Sequence, residues 1–203
     1  MARCYSAIVP NRQMPRPSRS PLPDIWLVSD ARNDHGLEHA LARLPRGSGL
    51  IYRHSHLAPA DRRARFEALA RAARRFGHRV VLSGTARQAR EWRADGAYGA
   101  AGKLAPGPAT LRLVTVHSLR EIAEGRRARA DAVLLSPVFP TRSHPGAGTL
   151  GPVRFHLLAA RSGVTVIALG GMTGHRARHL PTRKWAAIQG LARSPTRVFP
   201  IHS

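Results

Sequence analysis

Two glycine-bearing loops and one histidine concentrate the residues able to do chemistry. The first loop, Leu135–Gly151, follows an apolar run and carries Gly146, Gly148 and Gly151 with hydroxyls at Thr141, Ser143 and Thr149. Successive backbone N–H groups in such a loop can form a nest for an anion. The alternative is an ordinary connection, although long loops in compact domains usually carry function. The second loop closes the run Val166-Ile167-Ala168-Leu169-Gly170-Gly171-Met172-Thr173. A buried-strand pattern ends there in paired glycines just before a helix start. Glycine amides and a helix N-terminus would both face a phosphate at that point. The bland reading of the same pair is a turn that needs glycine.

His117 stands at the end of the apolar run Leu111–Val116, immediately before Ser118 and four residues before Glu121. Ser118 and Glu121 have the spacing of a capping box, so a helix starts here. An imidazole at a strand end can accept and return a proton near neutral pH. The competing reading is a structural histidine. His54 and His56 lie two apart on an expected strand and would face the same side. They could chelate a metal, but the sequence offers no third ligand, and no metal site is expected.

Composition narrows the classes. The chain has 203 residues, enough for one domain with a substantial core. No stretch approaches the roughly 18–20 apolar residues of a membrane span. The single cysteine, Cys4, excludes an intrachain disulfide and a cysteine-held metal cluster, and a reducing cytoplasm is the expected setting. A formal charge of +22 suggests nucleic acid or an anionic surface as partner. Yet only Lys103 and Lys184 among the basic residues are lysines. Arginine with abundant alanine reflects a biased genome as much as a binding surface, so nucleic acid is the less favoured partner.

These residues need elements to position them. Residues 1–23 are basic, hold five prolines and contain no acid, which reads as a mobile tail. From Asp24, strand-like runs at Ile25–Ser29, Gly49–Arg53, Arg79–Ser83, Ala97–Gly99, Leu111–Val116, Ala132–Leu135, Val164–Leu169 and Trp185–Ile188 recur at helix-sized intervals. Helices are expected at His35–Leu44, from Pro59 to before Gly77, at Thr85–Arg93, after Ser118, at Pro152–Ala160 and, in short form, at Thr173–Leu180. Eight strands with intervening helices predict a minimal (β/α)₈ barrel over residues 24–192, an α/β TIM barrel; an open doubly wound sheet is the other possibility. The stretch Gly102–Ala109 is too short for a full fourth helix. Residues 193–203 leave little room for an eighth.

Four segments resemble the thiamine phosphate synthases and their thiazole tautomerase (TenI-like) relatives. They are Thr115–Leu119, Ala130–Thr141, Pro145–Gly151 and Val166–Thr173, in family order. The resemblance implies a (β/α)₈ barrel with its active site at the C-terminal strand ends. It implies that a thiazole phosphate sits on Gly170, Gly171, Ile188 and Gln189, with Thr141 and Ser143 as the hydroxyls of the sixth loop. It also implies that His117 is the general acid/base of a tautomerase. The synthases carry Gln-x-Arg-x-Lys on strand two, where this chain reads Ile51-Tyr52-Arg53-His54-Ser55, retaining only Arg53. Ser83-Gly84 replaces the Asn-Asp pair that supplies a magnesium ligand, and His144 stands where a lysine contacts pyrophosphate.

Magnesium prefers oxygen ligands, commonly one or two carboxylates plus substrate phosphates. The expectation is therefore a thiazole-phosphate protein of the tautomerase kind, with no cofactor. The alternatives are an active synthase, which would need magnesium, and a non-catalytic anion or nucleic-acid binder. Oligomeric state is not set by the sequence; a homodimer stays open.

Overall fold

In the computed structural model, which describes residues 21–141, 148–189 and 191, eight parallel strands close in sequential order into one barrel. The strands are β1 (Ile25–Val28), β2 (Gly49–Tyr52), β3 (Arg79–Ser83), β4 (Gly96–Gly99), β5 (Leu111–Val116), β6 (Ala132–Leu135), β7 (Thr165–Ala168) and β8 (Trp185–Ala187). β1 pairs with β2 on one side and β8 on the other, which completes the closure and excludes the open sheet. The helices are α1 (Leu37–Arg43), α2 (Pro59–Arg75), α3 (Ala86–Glu91), α4 (Ala101–Leu104), α5 (Leu119–Arg127), α6 (Gly151–Ala160) and α7 (Gly174–Ala177). A 3₁₀ turn over Ala31–Gly36 precedes α1.

The strands alternate between two apolar layers, as period-two geometry requires. Trp26, Val28, Ile51, Val81, Leu113, Leu134, Ile167 and Ala186 fill the barrel. Leu27, Leu50, Tyr52, Val80, Leu82, Val114, Val133 and Ala168 face the helices, against Phe66, Leu69 and Phe155. Each of those large buried side chains contributes about 1.5–3 kcal/mol relative to exposure. Leu22 packs against the inner cluster and the Pro23 carbonyl accepts from Trp26 Nε1 at 3.0 Å, so the barrel floor is sealed just ahead of β1.

Continuing the inward alternation past the strand ends gives the mouth. Arg53, Ser83, Tyr98, Thr115, His117, Ser136, Leu169 and Ile188 fall at its inward positions.

The short elements have local causes. The fourth helix is one turn long, as Gly102–Ala109 predicts; the Arg112 guanidinium reaches the carbonyls of Ala105, Gly107 and Pro108 over 3.4–3.5 Å. The seventh helix is shorter than the expected Thr173–Leu180, ending at Ala177 after its Thr173 cap. Among the described residues no helix follows β8, and the tail segments 1–20 and 192–203 lie outside them. No helix among the described residues is long and apolar enough to cross a membrane.

Candidate functional site

The β7 end is shaped by the connection that follows β6. Val138 N–H donates to Leu169 C=O at 2.9 Å, and Phe139 N–H donates to Gly170 C=O at 3.1 Å. A trans peptide points its N–H opposite its C=O. The Gly170 and Gly171 N–H groups therefore face away from β6, toward β8, and among the described residues neither has a backbone acceptor. Glycine is required for two reasons. Both residues have positive φ (93° and 61°), and a Cβ at Gly170 would lie 2.7 Å from Pro137, while one at Gly171 would lie 2.5 Å from the Pro140 carbonyl oxygen.

The β8 end supplies the complement. Asn33 Nδ2 donates to Ile188 C=O at 2.9 Å and to Val28 C=O at 3.0 Å, while its Oδ1 accepts from Asp30 N–H at 2.8 Å. Asn33 is buried and ties the ends of β1 and β8 across the barrel closure. With Ile188 C=O held on the β1 side, the Gln189 N–H faces β7. Amides at the ends of these two neighbouring strands are thus turned toward each other across the rim. α7 has only four residues, so this arrangement rests on the loop amides and not on the helix dipole that the sequence suggested.

His117 lies further round the mouth. Its Nδ1 donates to the Ser136 carbonyl at 2.7 Å, which leaves Nε2 as the acceptor nitrogen. Its backbone N–H donates to Glu121 Oε2 at 3.0 Å, and Ser118 Oγ accepts from Glu121 N–H at 3.2 Å. Ser118 thus caps α5, while the Glu121 carboxylate reaches one residue beyond the capping-box pattern and fixes the histidine backbone instead. The side chain is exposed, as a group meeting substrate must be.

Arg53 stands on the β1–β2 side, with its main chain held from two directions. Ser29 Oγ accepts its N–H at 2.8 Å, and the Arg62 guanidinium donates to its C=O at 3.2 Å. The carboxyl of nearby Asp30 is held below its ordinary value by the Arg32 hydrogen bond, with the positive fields of Arg32 and Arg53 added.

His54 is not the metal ligand its spacing suggests. The residue has φ of 25°, outside the strand, and its fully buried ring stacks on Tyr52 behind the barrel wall. Nδ1 meets Ser29 Oγ at 2.8 Å and Nε2 meets Asp34 Oδ1 at 2.8 Å, so both nitrogens are occupied. His56 is exposed, and among the described residues no group of three metal-binding side chains exists. Burial opposes ionisation of Asp34, but hydrogen bonds from Arg65 and His54 outweigh it and hold the carboxyl below its ordinary value. Burial pushes His54 below the ordinary histidine value, against the opposing pull of Asp34. The neutral ring donates from Nε2 and accepts the Ser29 hydroxyl proton at Nδ1.

A divalent ion fits poorly beside this cluster. Between the ends of β2 and β3 the Arg62 guanidinium spans the carbonyls of Arg53 and Ser83, the latter at 2.6 Å. It also lies over Trp92, 5.3 Å from the ring centroid. Gly84 N–H is taken by Tyr98 C=O, and no carboxylate occurs in Ser83-Gly84 or in Tyr98–Lys103. The donor set there is cationic and neutral, the opposite of what magnesium selects.

The structure puts Gly170 and Gly171 past the end of β7 and Ile188 and Gln189 past the end of the neighbouring β8, places Arg53 at the end of β2 beyond β1, and sets His117 on the rim at β5. Thr141 ends the described part of the sixth connection, half-buried; Ser143 and His144 lie outside the described residues. Sequence reasoning missed Ser29, Asn33, Asp34, Arg62 and Arg65. Only Asn33 had a local signal, the Asp30-x-x-Asn33 box after a strand. An open groove of about 450 Å³ lies elsewhere, at the N-terminal ends of β7 and β8, between Asp24, His156, Thr165 and Lys184. It is not a rival site, because its Lys184 is bound to Asp24 at 2.6 Å and active sites in this architecture form at the C-terminal face.

A family model described as thiamine monophosphate synthase (TMP-TENI) matches residues 25–191. The chain belongs to the thiamine monophosphate synthase family. Over 59 residues it is 36% identical to putative thiamine-phosphate synthase 2 of Aquifex aeolicus, a segment covering 29% of this chain and 32% of that protein. The match thus spans about a third of that relative. Thiamine phosphate pyrophosphorylase from Pyrococcus furiosus superposes with a TM-score of 0.71 at 19% identity, over 84% of this chain and 88% of that one. An HpcH/HpaI aldolase/citrate lyase family protein from Burkholderia cenocepacia gives 0.56 at 17% identity, over 84% and 90%. At such identities these structures show the fold alone; the family match adds the lineage.

Proposed function

We propose that this chain binds a thiazole phosphate at the barrel mouth and acts as a tautomerase of the family, without a divalent cation. The observation that carries the reading is that the Leu169, Gly170 and Ile188 carbonyls are all held, so that the Gly170, Gly171 and Gln189 amides are turned away from those partners. A phosphomonoester dianion accepts hydrogen bonds from preset N–H groups, and such groups bind without reorganisation. Thr141, at the end of the described part of the sixth connection, offers a hydroxyl to the phosphate, and Arg53 adds positive charge from the β2 side.

His117 then does the proton work. Its Nε2 lone pair removes a proton from the bound carboxythiazole, and the resulting imidazolium returns a proton at the other end of the conjugated system. The double bond shifts, no group leaves, and the charge on the ring is restored. Such a proton transfer contributes typically 10²–10⁴-fold. The cationic Arg62 clasp at the β2–β3 ends supports a route that needs no metal there.

The joining of an aminopyrimidine pyrophosphate to the thiazole phosphate is the reading favoured by the names of the relatives, with Arg53 as the residue kept for it. One experiment separates the two. The purified chain is given the carboxythiazole phosphate in chelator, and separately both synthase substrates with magnesium. Isomerisation in chelator that is lost in His117→Ala, with thiazole phosphate still bound, supports the tautomerase. Turnover seen only with both substrates and magnesium overturns it.

A further inference from the structure

Three consecutive carbonyls at the end of β7 are pinned, and the third pin is a side chain. Leu169 and Gly170 are held by the main chain of Val138 and Phe139. Gly171 C=O instead accepts from Arg176 Nη1 at 2.5 Å. Thr173 Oγ1 accepts the Arg176 N–H at 3.2 Å, which fixes where this side chain departs. The guanidinium lies over the Phe139 ring, with Cζ 4.8 Å from its centroid. Phe139 therefore holds one carbonyl with its own N–H and supports the group that holds the next.

By the same trans-peptide geometry, a Gly171 carbonyl fixed on Arg176 directs the Met172 N–H away from it. With φ of 93° and 61° at the glycines, successive amides can turn to one side and form a nest. We propose that Arg176 is a positioning residue for phosphate binding: it adds the Met172 amide to those of Gly170 and Gly171. The inference rests on the phosphate reading above and specifies how its cup is built. A lysine ammonium can donate to the same carbonyl. Methionine keeps the bulk over Phe139 and cannot donate.

The test is calorimetric titration of wild type, Arg176→Met, Arg176→Lys and Gly171→Ala with inorganic phosphate, thiazole phosphate and the unphosphorylated thiazole alcohol. Arg176→Met is expected to weaken both phosphates roughly tenfold, the weight of one typical hydrogen bond, and to leave the alcohol unchanged. Arg176→Lys is expected to stay within about threefold of wild type, since the donor is restored. If Arg176→Met fails to fold, Phe139→Leu removes the platform and is expected to show the same phosphate-selective loss. Wild-type phosphate affinity in Arg176→Met, beside a loss in Gly171→Ala, overturns the role of Arg176 while the phosphate cup stands. Equal weakening of phosphate and alcohol also overturns it, because that pattern belongs to general loosening. Failure of wild type itself to bind either phosphate sinks the cup and this inference together.

Discussion

Gly171→Ala is the substitution whose cost follows most directly from the coordinates. An L-residue at φ of 61° adopts the left-handed region, costing about 1–2 kcal/mol. The new methyl would lie 2.5 Å from the Pro140 carbonyl oxygen and 2.9 Å from both Phe139 Cβ and its carbonyl oxygen. Two of those three atoms are backbone, so relief requires moving the sixth connection, and overpacking of this kind costs about 1–3 kcal/mol. The two effects together come to roughly 2–5 kcal/mol, a large share of the 5–15 kcal/mol by which domains are stable. At about 2–4 °C per kcal/mol for a chain of this size, the melting midpoint should fall by roughly 4–20 °C. Circular dichroism melting measures it, and phosphate titration on the folded variant should show binding weakened at least tenfold. A variant that melts within 2 °C of wild type and binds phosphate normally would refute the reasoning that glycine is demanded here by close approach and positive φ.

The buried histidine gives a pH signature. His54 has a folded value below its ordinary 6.5, so the unfolded chain binds more protons below that pH. Its contribution to stability is complete above pH 6.5 and falls as pH drops from there toward the lower folded value; His54→Gln should flatten that part of a denaturation-midpoint profile between pH 5 and 7. A slope unchanged in the variant would assign it to other groups. Asn33→Ala removes the tie between β1 and β8 and leaves Ile188 C=O without its side-chain donor. It should cost about 1–3 kcal/mol in urea melts and weaken phosphate binding as well; loss of stability alone would separate the residue from the cup. His117→Ala should abolish isomerisation while thiazole phosphate affinity changes by less than about threefold; a large affinity loss would make the residue a binding group.

Much of this fold is legible in the chain itself. The strand runs repeat at βα spacing, and each observed strand overlaps its expected range. The Ser118 cap, read from its spacing to Glu121, marks the start of α5. The glycine pair is legible because only a strand end that bends sharply beside another backbone needs two such residues. The His54 network is not legible, because Ser29 and Asp34 come from the connection after β1, His54 from the one after β2 and Arg65 from within α2, and they meet only when β1, β2 and α2 pack. His54 misleads for a further reason: its ring does lie beside that of His56, with centroids 5.1 Å apart, but both of its nitrogens are already taken by Ser29 and Asp34. Arg62 hides among the arginines of α2, and nothing in its neighbourhood distinguishes it from the exposed Arg63. Its partners are carbonyls 9 and 21 residues away, which carry no sequence mark.

The most direct measurement is a titration of thiazole phosphate into the purified chain, once in chelator and once in excess magnesium. Saturable binding at one site per chain, equal in the two buffers and weakened at least tenfold in Gly171→Ala, is the predicted result. Binding that appears only with magnesium, or that is unchanged in Gly171→Ala, contradicts the account.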